Sequence, residues 1–287
     1  MNALLLVAMI AVTAAGPLWA EAPPISPVEA PAVTPEIARL SEVMQMAGVI
    51  EVMRTEGLEY GAALRDEMFP EQGGPGWDAQ VGRIYEPGRM LHEFEAQLGL
   101  ELAAEPAVAG EAMAFFDAPL GRKILTLELE ARRTLLDDAA EEVARAVFAE
   151  MEAKGAPRVE ALRRFAQTND LIEMNVMGAL NADFAFYRGL NDGGAFSGAM
   201  SEADMLAEVW GREADIRSET EDWLWPYLSL AYQPLSDEEL QAYQVFSESP
   251  AGRKLNAAVF AAFDAQFGRI SNDLGHAVAR AILGEDI

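Results

Sequence analysis

FFDAPLGRKIL, residues 115–125, returns as FSESPAGRKLN at residues 246–256. Phe115 and Phe246, Pro119 and Pro250, Gly121 and Gly252, Arg122 and Arg253, and Lys123 and Lys254 all keep one offset of 131 positions. In each copy a short helical stretch ends at the phrase and a long one begins. The proline stops the first helix, and its missing N–H does no harm in the first turn of the second. Ser249 can cap that second helix; Ala118 at the matching place cannot. Pro119, Gly121, Pro250 and Gly252 are therefore read as structural. A glycine just inside a helix costs about 1 kcal/mol relative to alanine. Its presence in both copies predicts the close approach of a neighbouring helix.

Further matches surround the phrase. Leu40 and Leu162, Gln45 and Gln167, and Ile50 and Ile172 follow Pro35 and Pro157 at an offset of 122. Gly73–Gly74 and Gly193–Gly194 are 120 apart. The order is the same, so the chain reads as two copies of one unit, 35–155 and 156–287. Ile37, Leu40, Val43, Met44, Ala47, Ile50 and Met53 recur at three-and-four spacing, the period of an amphipathic helix rather than a strand. Ser236 with Glu239, and Ser201 with Asp204, have the spacing of capping boxes. The fold class expected is all-α: two tandem, structurally similar helical-bundle repeats.

The 287 residues carry 21 Lys and Arg against 47 Asp and Glu, a formal charge of −26. Such a surface repels phosphate backbones, which argues against nucleic acid as a partner. There is no cysteine, hence no disulfide, thiolate chemistry or lipoprotein anchor. The opening MNALLLVAMIAVTAAGPLWA holds no charge, and its apolar run from Ala3 to about Ala15 suits a signal-peptide core. Cleavage is expected near Ala20, although Leu18 is large and the start lacks Lys or Arg; an uncleaved anchor is the alternative. Residues 21–34 are proline-rich and read as a semi-rigid linker. Later stretches are too short in apolar content to span a membrane, so none is expected after processing. The compartment expected is the periplasm or the exterior.

LSDEEL, then YQVFSESPAGRKL, then a long helical stretch resembles the C-terminal signature of the bacterial domain-of-unknown-function family 2059. Phe246, Ser249, Pro250, Gly252, Arg253, Lys254 and Leu255 carry the resemblance in the second copy. The first copy carries it at Phe115, Phe116, Pro119, Gly121, Arg122 and Lys123, with Ala118 in place of Ser or Thr. The resemblance implies an exported, all-helical protein and brings no activity or catalytic residue.

Candidate contacts to a partner come from two features. Arg122–Lys123 and Arg253–Lys254 sit in the first turn of a helix, where the helix dipole disfavours cations. They could hold an anionic ligand, or pair with acids of the preceding short helix such as Glu111, Glu238 or Glu239. EDWLWPYL places Trp223, Trp225 and Tyr227 around Pro226, either as an apolar ligand or partner surface or as packing between the copies. His92 and His276 have no metal-ligand spacing, and no phosphate loop, dinucleotide fingerprint or nucleophile elbow occurs. No cofactor, metal or catalytic residue is assigned. The reading is a non-catalytic binding or scaffold protein of the cell envelope, its partner an envelope protein or an apolar or anionic ligand. An envelope hydrolase using paired carboxylates is the alternative: a cleft with two facing carboxylates would favour it, a groove lined by Trp and Met the binding protein.

Overall fold

The computed structural model describes residues 33–70, 75–196 and 198–284. The apolar leader, the pair Gly73–Gly74 and nearly all of the proline-rich linker lie outside them. Among the described residues there are thirteen α-helices and no strand.

The first half runs α1 (Pro35–Val43), α2 (Met46–Met68), α3 (Pro75–Ile84), α4 (Pro87–Leu102), α5 (Ala107–Phe116), α6 (Pro119–Thr134) and α7 (Asp138–Ala153). The second runs α8 (Pro157–Thr168), α9 (Leu171–Asp192), α10 (Glu202–Trp210), α11 (Glu213–Tyr232), α12 (Asp237–Glu248) and α13 (Pro250–Ile282). Long and short helices alternate alike in both halves until the end, where α6 and α7 stand opposite the unbroken α13. The junctions also match. Gln45 before α2 and Asp170 before α9 are the two non-glycine residues with left-handed backbone among those described, at φ 58° and 54°. Because α8 has 12 residues and α1 has 9, the second half runs three residues late from there. Ile50 is thus the fifth residue of α2 while Ile172 is the second of α9, so the 122 offset pairs residues that hold different places.

The halves do not form separate bundles. α13 lies along α9 of its own half and along α4 of the other, while α6 and α7 both pack on α11. The last helices of each half therefore cover the fourth helix of the other. One buried cluster joins Ile50, Trp77 and Tyr85 to Phe186, Ile270 and Leu274. A second joins Leu40, Phe94 and Phe116 to Leu255, Ala258 and Ala262. The large apolar members each contribute about 2 kcal/mol on burial, and in both clusters they come from the two halves together.

At the centre the duplicated phrase meets itself. Phe115 and Phe246 stack with ring centroids 4.1 Å apart and planes 7° from parallel. Phe116 stands edge-on to both, and Tyr243 stacks on Phe115 at 5.9 Å. The two glycines let each long helix leave this cluster sharply. A Cβ on Gly121 would lie 2.3 Å from the Phe115 carbonyl oxygen, and one on Gly252 2.1 Å from that of Phe246. The neighbour that approaches is thus the end of the short helix immediately before, folded back on the new one. Ser249 caps α13 by accepting from the Gly252 N–H at 3.0 Å, and α6 has no side-chain cap.

Candidate binding groove

α9 and α13 run parallel, tied along their length by polar side chains. Asn256 Nδ2 donates to the Asn169 carbonyl at 2.9 Å, Asn181 Nδ2 to Asp264 Oδ1 at 2.9 Å, and Asn272 Nδ2 to the Ala185 carbonyl at 3.2 Å. Near their C-terminal ends the backbones touch. A Cβ on Gly189 would sit 2.2 Å from the Asn272 carbonyl oxygen, and one on Gly275 2.3 Å from that of Phe186.

Short of that contact, the small residues Gly178, Ala179, Ala182 and Ala261 leave a groove of about 300 Å³. Met174, Met177, Phe260, Phe263 and Phe267 wall it. Gly178 faces open space: apart from the backbone of its own turn of helix and its chain neighbours, no atom lies within 4 Å of where its Cβ would be. The first half contributes Tyr60 from α2 and Tyr85 from the turn between α3 and α4. Tyr85 is wholly buried, with its ring over Gly57, where an added Cβ would come within 2.3 Å of it. Its hydroxyl is buried and has no hydrogen-bond partner. Burial pushes the Tyr60 and Tyr85 hydroxyls well above the usual phenol range, so both stay protonated and able to donate. Among the described residues Asp264 is the one carboxylate on the lining, and Asn181 engages it.

The residues singled out in the sequence lie elsewhere. Trp223 stacks on Tyr227, one helical turn along, at 4.8 Å, and Trp225 stacks on Phe148 of α7 at 6.0 Å. None of the three lines the groove; they fill the contact between α11 and the first half. The basic pairs play matched parts. Arg122 Nη2 donates to Asp117 at 2.8 Å and Arg253 Nε to the Glu248 carbonyl at 3.1 Å, each five residues back. Lys123 crosses to Glu239 of the other half at 2.6 Å, and Lys254 lies 3.9 Å from Glu105 of the other half. Among the described residues no group of His, Cys, Asp or Glu could hold a metal ion, and no helix is long and apolar enough to cross a membrane.

Two further acids, one half-buried and one fully buried, carry no mark in the sequence. Glu128 of α6 accepts from Tyr232 at 2.6 Å and Tyr243 at 3.2 Å through one oxygen. Tyr227 donates to the Glu128 carbonyl at 3.5 Å, and Arg132 stands one turn along the same helix. Burial pushes the Glu128 carboxyl up to about 7, against the pull of the two tyrosine hydrogen bonds. Between its ordinary value of 4.5 and that point, the folded chain holds a proton the unfolded chain has lost. Stability from this group is therefore greatest in acid and falls as pH rises to about 7. Glu128→Gln keeps an oxygen for both tyrosines and cannot ionise. It should gain about 1–3 kcal/mol over the natural chain at a pH of about 8, and nothing near 4.5. Urea melts at the two pH values check this; a loss at the higher pH would mean the tyrosines need the charge. The second acid, Asp183 of α9, pairs with Arg212.

Comparison of the chain with protein-family models, with curated proteins and with solved structures finds no match.

Proposed function

We propose that the chain is an exported, non-catalytic binding protein of the cell envelope that takes a compact apolar molecule in the groove between α9 and α13. The groove itself carries this reading: about 300 Å³ walled by Met and Phe side chains, with parallel helices fixing its shape. The formal charge of −26 and the absence of Lys or Arg among the described lining residues favour a neutral occupant over an anion. The acids offer little to a hydrolase. Neither Glu128 nor Asp183 lines the groove, and Glu93 and Asp273 are shared between Arg89 and Arg269. Export rests on the charge-free leader and on the resemblance to family 2059.

Gly178→Leu tests the site. Its Cβ enters open space and leucine is a good helix former, so the fold should stand while the side chain fills the groove. Naphthalene binding, read by calorimetry, should weaken at least about ten-fold, the equivalent of about 1.4 kcal/mol. Equal binding by both proteins would move the site away from this groove.

A further inference from the structure

We infer that the occupant of this groove is a neutral, two-ring-sized apolar molecule carrying one hydrogen-bond acceptor, a carbonyl or ether oxygen, which the Tyr85 hydroxyl engages. The inference rests on the groove being the binding site and adds the chemistry of its ligand. A buried hydroxyl without a partner carries the full desolvation penalty of a polar group. A phenylalanine at position 85 would keep the ring over Gly57 and escape that penalty. The Tyr85 hydroxyl makes no hydrogen bond within the protein, the nearby Glu56 carboxylate being held by Arg132, yet Tyr85 lines the groove, so a bound molecule can supply an acceptor. Burial holds the Tyr85 hydroxyl well above the usual phenol range, so it keeps its proton and is free to donate to that acceptor.

Size follows from volume. Benzene occupies a dry apolar cavity of about 150 Å³. A groove of about 300 Å³ takes roughly twice that, a skeleton of about ten to twelve carbons. Phe260, Phe263 and Phe267 supply ring faces and edges for aromatic contact. Asp264 could draw a cation, but it already accepts from Asn181.

Three ligands with one skeleton test the inference: naphthalene, 2-acetylnaphthalene and (2-naphthyl)methylammonium, each titrated into the natural protein and into Tyr85→Phe. In the natural protein 2-acetylnaphthalene should bind about five- to ten-fold tighter than naphthalene, the effect of one neutral hydrogen bond. Tyr85→Phe should erase that advantage, so that 2-acetylnaphthalene and naphthalene bind it equally to within about two-fold. Without ligand, Tyr85→Phe should melt at the same temperature or higher, since the hydroxyl has no protein bond to lose. An acetyl advantage that survives in Tyr85→Phe, tightest binding by the ammonium, or a clear fall in melting temperature would each overturn the assignment of Tyr85. Failure of all three ligands to bind the natural protein would instead remove the groove as the site.

Discussion

Gly275→Ala should cost the protein about 3 kcal/mol or more, the upper end of what overpacking does. The new methyl carbon would lie 2.3 Å from the Phe186 carbonyl oxygen, 2.9 Å from the Leu190 nitrogen and 3.0 Å from the Gly189 Cα. All three are backbone atoms of α9, so no rotamer change relieves the clash; the two helices must separate. Along with them would go the shared cluster that α13 builds with α3 and α4, since Ile270, Leu274 and Val278 belong to it. Gly178→Ala, on the same pair of helices, should have the opposite sign. Its methyl meets nothing, so only helix propensity acts, worth up to about 1 kcal/mol of added stability. In a chain of this size the first change should lower the melting temperature by roughly 6–12 °C and the second raise it by up to about 4 °C. Thermal melts followed at the helical circular dichroism band compare them. A fall of less than about 1 kcal/mol for Gly275→Ala would mean the α9–α13 contact is loose.

That contrast marks how far the sequence could be read. Proline and serine punctuation placed helix starts well: Pro119, Pro157 and Pro250 each open a helix, and Ser236 with Glu239 forms the full capping box. These signals act within a few residues and depend on backbone geometry alone. The stacking of Trp223 on Tyr227 also follows from their separation of four on a helix. Gly178 and Gly275 look alike in sequence, since each is a glycine within an apolar helical pattern. What separates them is which helix lies across, and periodicity names the apolar face without naming what covers it. The crossing of α13 on to α4, and of α6 and α7 on to α11, was hidden for the same reason. So was the groove, because small residues such as Ala182 and Ala261 leave space only where two helices align them. Among 47 acidic residues nothing marks Glu128 or Asp183, because burial is set by partners far along the chain.

Asp183 yields the other large effect. Its side chain is 0 % exposed; one oxygen accepts from Arg212 and the other has no partner. Arg212→Met should cost about 3–5 kcal/mol at a pH of about 8, because it leaves a buried carboxylate without its cation. Burial already pushes this carboxyl up to about 7 despite Arg212, and Glu219 nearby adds repulsion. Tyr60 and Tyr187, the other titratable groups around it, are held protonated by burial and bring no positive charge. Without the guanidinium the carboxyl must climb further, while in the unfolded chain it stays near 3.8. A raised folded value means stability that is present in acid and lost as pH rises. The natural chain loses it up to about 7, and the variant should go on losing it beyond that point. At a pH of about 5 both folded chains hold the proton, so the gap between them should narrow by more than half. Asp183→Asn added to Arg212→Met should recover most of the loss at a pH of about 8, where no buried charge then remains to be neutralised. Denaturant melts of the natural, single and double variants at both pH values separate charge from packing. A deficit that is the same at both, or that Asp183→Asn leaves in place, would assign the value of Arg212 to its stem packed against α9 rather than to its charge.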